Sequence, residues 1–78
     1  MNAAQSKMAR AATGLGVREL AEAAGVSPNT VARLERGETL RAPTVDAIRA
    51  ALEAAGVVFL PENGNGPGVA LQKKEKSI

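Results

Sequence analysis

Glycine spacing is the feature that most constrains this chain. Gly14, Gly16, Gly25, Gly37 and Gly56 divide the first 56 residues into short blocks, most of which are rich in alanine. Alanine has the highest helix propensity, and glycine adopts at little cost the left-handed conformation that ends many helices. The spacing therefore predicts a mainly α-helical domain of short helices within the first 56 residues.

Local signals place the ends of four helices. The predicted helices cover residues 3–13, 17–24 and 28–36, and a fourth runs from 43 or 44 to 56. Asn2 and Gln5 have the spacing of a capping box at the first helix. Ser27 is a favourable N-cap for the third, and Pro28 suits its first position, where no backbone N–H is needed.

The inner faces of these helices are predicted with unequal clarity. The fourth helix has the clearest apolar stripe, formed by Val45, Ile48, Leu52 and Ala55. In the first helix, either Met8 or Ala9 can mark the inner face, because alanine lies on every side. Arg49 and Glu53 are one turn apart on the outside of the fourth helix and are expected to form an exposed pair.

The second and third helices carry the most specific spacing. Ala21 is followed after four residues by Gly25, after six more by Val31 and after three more by Leu34. Two short helices that cross at a large angle need a small residue at the crossing and a turn residue with positive φ. The predicted core of this pair consists of Leu20, Ala21, Gly25, Val26, Val31 and Leu34.

These residues lie in the stretch VRELAEAAGVSPNTVARLERGE, which resembles the helix-turn-helix of Cro and lambda-repressor-type regulators, the XRE family. With the first and fourth helices, the resemblance covers about residues 4–56. The predicted fold is therefore a four-to-five-helix lambda-repressor-like domain with a short C-terminal β-hairpin or strand. The resemblance implies that the third helix enters the major groove of double-stranded DNA.

The third helix presents Asn29, Arg33 and Arg36 on the side opposite Val31 and Leu34. Arginine can bond guanine and asparagine can bond adenine through two hydrogen bonds each. We expect Asn29, Thr30 and Arg33 to read bases. The expected contacts to the DNA backbone are Arg18, Ser27, Arg36, Arg41 and Thr44. The alternative for each is an ordinary solvated polar residue.

Three departures from the family pattern affect these expectations. Val17 stands where many members carry a glutamine that binds phosphate and braces a base-reading residue. Pro28 stands where the family often has a polar base reader. Phage repressors usually continue into a fifth helix that forms the dimer contact, whereas this chain continues into the apolar segment VVFL.

The resemblance also implies an ion pair between Arg10 and Glu35. Family members often pair an arginine of the first helix with the glutamate of the LERG segment. Glu35 projects to the inner side of its helix, towards Val31. Arg10 lies opposite Met8 on a helical wheel, so the pair forms only if Met8 is not at the centre of the inner face. Its role would be structural.

The C-terminal part changes character after Gly56. Residues 57–72 are predicted to form a hairpin, because β-branched and aromatic residues flank a turn-rich PENGNGPG segment. A lone hairpin is marginally stable, so we expect it to help build a two-fold homodimer. The expected dimer residues are Val57, Val58, Phe59, Leu60, Val69 and Leu71. Residues 73–78 are expected to form a mobile basic tail.

Composition excludes several functional classes. The chain of 78 residues has no Cys and no His, so thiol, disulfide, zinc-finger and imidazole chemistry are absent. Phe59 is the single aromatic residue, too few for stacking on single-stranded nucleic acid. No apolar run reaches the roughly 20 residues of a membrane span, and no secretory signal is visible. We expect a cytoplasmic, non-enzymatic protein without a metal or cofactor.

A net charge of +2 neither demands nor excludes a nucleic-acid partner. The motif predicts a sequence-specific DNA-binding transcriptional regulator, acting as a dimeric repressor on operators with palindromic half-sites. The alternative is a protein-interaction or antitoxin-like module that uses the same fold and docks its hairpin on a protein partner.

Overall fold

The structure, a computed structural model, describes residues 1–61, 64 and 66–72. In this part of the chain, four helices precede a two-stranded antiparallel sheet. The elements are α1 (Ala3–Thr13), α2 (Val17–Ala24), α3 (Pro28–Glu35), α4 (Ala42–Ala54), β1 (Val57–Leu60) and β2 (Gly68–Leu71). The predicted mainly helical fold with a C-terminal hairpin is confirmed, while the predicted basic tail at 73–78 lies outside the described residues.

The helix starts follow the predicted capping signals. The Oδ1 atom of Asn2 accepts from the Gln5 backbone N–H at 2.8 Å, and the Gln5 side chain accepts from the Asn2 N–H at 3.0 Å. The Oγ atom of Ser27 accepts from the Thr30 N–H at 3.2 Å. Helix α4 begins one or two residues earlier than predicted, with Arg41 as its N-cap. Arg41 is exposed, and its side chain makes no capping hydrogen bond to α4.

The helix ends use the predicted glycines. Gly14, Gly25, Gly37 and Gly56 all have positive φ, between 70° and 100°. Helix α3 ends at Glu35, one residue short of the prediction, and Arg36 is its C-cap. Helix α4 ends at Ala54, so Ala55 is a cap residue and is exposed rather than part of the inner stripe.

Polar contacts orient α1 towards the rest of the domain. Its buried residues are Gln5, Ser6 and Ala9, whereas Met8 is 38% exposed. The inner face is therefore centred near Ala9 and not on Met8. The side-chain nitrogen of Gln5 donates to the Gly68 carbonyl at 3.2 Å and ties α1 to β2.

One apolar core joins all four helices to the hairpin. Its buried members are Ala9, Leu20, Ala21, Val31, Leu34, Ile48, Leu52 and Val57. Val26 packs against this core and is partly buried. Gly25 is exposed and supplies the turn, since its φ is 70° and the following Val26 N–H donates to the Ala21 carbonyl at 3.0 Å. The predicted packing between α2 and α3 is confirmed.

The hairpin extends the core on one face and exposes apolar residues on the other. The register pairs Phe59 with Val69 and Leu60 with Gly68, so β2 starts one residue earlier than predicted. Val57 is 3% exposed and sits in the core, with Phe59 and Val69 packed against it. These three residues pack on their own domain, although all three are among the residues expected at the dimer contact.

In the described part of the chain, no helix combines the length and apolarity needed to cross a membrane.

Candidate nucleic-acid interface

An open groove of about 370 Å³ runs between the start of α3 and the start of α4. Val26 and Leu40 provide apolar lining, and the loop between the two helices contributes Thr39. The groove brings together five residues predicted to contact DNA: Ser27, Thr30, Arg33, Arg41 and Thr44. They come from separate parts of the sequence, so their convergence is a property of the fold.

The other predicted contacts lie outside this groove on exposed positions. Asn29 is exposed in the first turn of α3, and Arg36 is exposed at the C-cap of the same helix. Arg18 is exposed in the first turn of α2. The structure therefore places Thr30 and Arg33 together with the loop residues, and places Asn29, Arg18 and Arg36 around them.

The two sides of α3 differ sharply in burial. Val31 and Leu34 are 0% and 5% exposed, and the Glu35 side chain is 7% exposed. The Arg33 side chain is 43% exposed on the other side. The helix is therefore anchored through one face and presents its polar face outwards.

The hydroxyl groups of Ser27 and Thr30 form a pair at the opening of α3. Their oxygens are 2.8 Å apart, and either can donate. A hydroxyl has one proton, so whichever group donates, the proton of the other has no acceptor among the hydrogen bonds of the described residues. A phosphate at the helix N-terminus is such an acceptor, and the helix dipole favours it.

A buried ion pair fixes the inner face of α3. The Arg10 guanidinium donates to both Glu35 carboxylate oxygens, from Nη2 at 2.6 Å and from Nε at 2.8 Å. The Ser6 hydroxyl donates to the same carboxylate at 2.7 Å. The predicted pair between Arg10 and Glu35 is confirmed. Sequence reasoning missed Ser6, which lies one helical turn before Arg10 and so on the same side of α1.

This network shifts the pKa values of its charged members. Burial raises the pKa of Glu35, but hydrogen bonds from Arg10 and Ser6, with attraction from Arg10 and Lys7, outweigh burial and lower it overall. The hydrogen bond to Glu35 raises the pKa of Arg10 against an opposing effect of burial. Both groups are therefore charged at neutral pH, and the pair braces α1 against α3.

Glu38 is a residue of this surface that sequence reasoning missed. Its carboxylate accepts from the Arg33 Nε atom at 3.1 Å through Oε1. Its other oxygen, Oε2, accepts from the Arg36 Nε at 3.1 Å and from the Arg36 Nη2 at 2.8 Å. The hydrogen bonds from Arg36 and Arg33 lower the pKa of Glu38, so the carboxylate is charged at neutral pH.

The comparisons with known proteins agree with this geometry. The family model described as "Helix-turn-helix domain" matches residues 3–58, more than half of the chain. The chain belongs to this family. The family is of the XRE/Cro-type helix-turn-helix kind. A comparison with curated proteins finds no match.

The helix-turn-helix domain indicates a DNA partner and a regulator of transcription. In such domains the second helix of the motif is the recognition helix, which lies in the major groove. In this chain that helix is α3. The matched region ends within β1, so the remainder of the hairpin lies beyond the family match.

Proposed function

We propose that this helix-turn-helix protein is a sequence-specific repressor that occupies an operator as a homodimer. The observation that carries the proposal is the groove in which Thr30 and Arg33 of α3 meet Arg41 and Thr44 of the α4 start. A recognition helix in the major groove needs base-reading groups flanked by groups that bind phosphate, and this groove offers both kinds side by side. The protein acts by binding alone, without a catalytic step, in the cytoplasm.

Base reading is assigned to Asn29, Thr30 and Arg33. Arg33 suits guanine, since a guanidinium can bond the O6 and N7 atoms together. Asn29 suits adenine, and Thr30 suits a thymine methyl group or a base edge. All three are on the exposed side of a helix whose opposite side is held by Val31 and Leu34.

Backbone binding is assigned to residues around these three. Ser27 opens α3, Arg41 caps α4, and Thr44 lies in the first turn of α4. Arg18 lies in the first turn of α2, so three helix N-termini carry a candidate phosphate ligand. Arg36 adds positive charge at the far end of α3.

Dimer formation is assigned to the outer face of the hairpin. Val58, Leu60 and Leu71 are 41%, 43% and 52% exposed. Val58 and Leu60 pair in the register with Ala70 and Gly68. The described side chains at these positions carry no charge. A second copy is the occupant that fits best, because a two-fold axis pairs one apolar face with the same face and doubles the DNA contact.

Binding-site selection from random duplexes tests the base-reading assignment. Arg33→Ala should weaken binding by about 1–3 kcal/mol and relax the preference at one base pair per half-site. Asn29→Ala should relax a different position. Arg49→Ala is the control. It removes an arginine of α4 that lies outside the groove and pairs with Glu53 at 3.3 Å. If Arg33→Ala and Asn29→Ala both left the consensus unchanged, α3 would not be the reader.

The alternative function is a protein-interaction or antitoxin-like module. The exposed apolar Val58 and Leu60 are the observation behind it, since an exposed apolar face can also bind a different protein. In such a module, Arg33→Ala and Asn29→Ala would be silent, and Leu60→Lys would abolish function. The same set of variants therefore separates the two functions.

A further inference from the structure

The turn after α3 holds Glu38 directly beside Arg33. Gly37, with a φ of 89°, turns the chain back, and its N–H donates to the Leu34 carbonyl at 3.0 Å. The Glu38 N–H donates to the Arg33 carbonyl at 3.1 Å. These two bonds form a Schellman motif, in which the second residue after the C-cap is fixed to the last turn of the helix. The position of Glu38 is therefore set by the backbone.

The side-chain contact leaves a specific part of Arg33 available. Within residues 1–61, 64 and 66–72, Arg33 donates to Glu38 from Nε, and neither terminal nitrogen donates. The two terminal nitrogens are the end of the guanidinium that can bond guanine O6 and N7 together. A carboxylate on Nε fixes the plane of the group without using that end.

Arg36 is held differently by the same carboxylate. Both its Nε and its Nη2 donate to Oε2 of Glu38. The Nε–Nη2 edge of the Arg36 guanidinium, one of the two edges that could hold a phosphate through two hydrogen bonds, is therefore already occupied. Glu38 thus orients Arg33 and occupies one edge of Arg36, which weakens the contact of Arg36 with the DNA backbone.

We propose that Glu38 is a positioning residue for specificity: it fixes Arg33 for a guanine and lowers the affinity for DNA of any sequence. The lower affinity for DNA of any sequence follows from the negative charge of Glu38 beside the duplex and from its hydrogen bonds with Arg36. The inference rests on the proposed function, since it assumes that α3 reads bases. Exposed ion pairs contribute little to stability, so the role of Glu38 is to be sought in binding.

Two substitutions separate orientation from charge. Glu38→Gln removes the charge but keeps a carbonyl oxygen that can accept from the Arg33 Nε. Glu38→Ala removes both. Glu53→Gln is the matched control, because Glu53 is also an exposed carboxylate that accepts from an arginine, 3.3 Å from Arg49. Urea unfolding of each variant checks that the fold is retained.

Both Glu38 variants should bind a random duplex more tightly than the wild type. If Arg36 then neutralises one further phosphate, the ratio of affinities at 50 and 200 mM salt should rise by about 3.5-fold per protomer. The preference for guanine at the base read by Arg33 should fall by about fivefold or more in Glu38→Ala. Glu38→Gln should retain most of that preference, and Glu53→Gln should match the wild type.

Two results would overturn the inference. If Glu38→Ala kept the full guanine preference, the carboxylate would not position Arg33. If neither variant gained affinity for random duplex, Glu38 would not oppose binding. Failure of the proposed function looks different: the wild type itself would select no consensus, and Arg33→Ala would change nothing.

Discussion

Removal of the Glu35 carboxylate should destabilise the domain far more than removal of any exposed carboxylate. Glu35→Ala deletes the acceptor of hydrogen bonds from Ser6 and from two nitrogens of Arg10. Ser6 is 0% exposed, so its hydroxyl is left without that partner in a dry site. The Arg10 side chain is 24% exposed and can recover part of its hydration.

The magnitude follows from these exposures. A buried hydroxyl without a partner costs about 1–3 kcal/mol. Breaking a fully buried ion pair costs about 3–5 kcal/mol. Because the Arg10 side chain is 24% exposed and regains part of its hydration, the loss of its partner should cost less, about 1–2 kcal/mol. The expected loss for Glu35→Ala is therefore about 2–5 kcal/mol. A domain of 78 residues has a total stability of about 4–12 kcal/mol, so this loss is a large fraction of it.

Urea unfolding followed by circular dichroism measures this loss. With an m-value of about 1 kcal/mol/M, the midpoint should fall by roughly 2 M or more. Glu35→Gln keeps one carbonyl acceptor and should lose about half as much. Glu53→Gln alters an exposed pair and should stay within about 0.5 kcal/mol of the wild type. Equal shifts for Glu35→Gln and Glu53→Gln would refute the reasoning that burial decides the cost.

The same carboxylate should make stability depend on pH. The pKa of Glu35 is lowered on folding from its usual 4.5, so the unfolded chain binds this proton more readily than the folded one. Its contribution is therefore fully present above the unfolded pKa and is lost as pH falls through the lowered folded pKa. Unfolding midpoints measured from pH 7 downwards should drop below about pH 4.5, and Glu35→Gln should flatten that drop.

Two further predictions concern DNA binding and assembly. Arg41→Ala should flatten the slope of log affinity against log salt by about 0.9 per protomer and leave the consensus sequence unchanged. Salt titrations on one operator and one random duplex measure this slope, and a changed consensus would make Arg41 a base reader. Leu60→Lys should convert a dimer to a monomer in light scattering, because it places a charge on the apolar outer face; an unchanged mass would contradict the hairpin dimer. Truncation at Gly56 is a poorer test, since it removes Val57 from the core.

The helix boundaries could be predicted closely because their signals are local. Ser27 and Pro28 start α3, and Gly25 and Gly37 follow the ends of α2 and α3, whatever the rest of the chain does. The errors are one or two residues, at Arg36 and at the two ends of α4. Side-chain caps and glycines with positive φ act within one turn, so the sequence alone reveals them.

The face of α1 could not be predicted from apolar periodicity. Because alanine lies on every side of α1, the sequence does not show which side faces the domain. In the structure, polar contacts decide this: Ser6 and Arg10 bond Glu35, while Gln5 bonds Gly68. These partners are distant in sequence. Apolar periodicity predicts only which side of a helix buries apolar residues. It cannot predict a hydrogen bond or an ion pair with a residue elsewhere in the chain.

The candidate interface was only partly predictable for a similar reason. Arg33 could be identified because the motif fixes which side of α3 is buried. Glu38 could not, because its role depends on the turn at Gly37 and on two side chains that converge on one carboxylate. A usable signal does exist: glycine just after a helix predicts a Schellman motif, which places the next residue against the last turn.

The hairpin shows how far strand patterns alone can be taken. The apolar residues of 57–60 and 69–71 predicted two strands, but not which residues face inwards. The structure buries Val57 and packs Phe59 and Val69 against the core, while Val58 and Leu60 face outwards. Packing on α1 and α4 decides this division, so the proposed dimer surface is smaller than the sequence suggested.

The most direct test of the central claim is the ratio of two affinities of the wild-type protein. A duplex recovered by selection and a random duplex of equal length are titrated at the same physiological salt concentration. If α3 reads bases, the selected duplex should bind at least about 1,000-fold more tightly. A ratio near one, or no binding to either duplex, would contradict sequence-specific recognition by this domain.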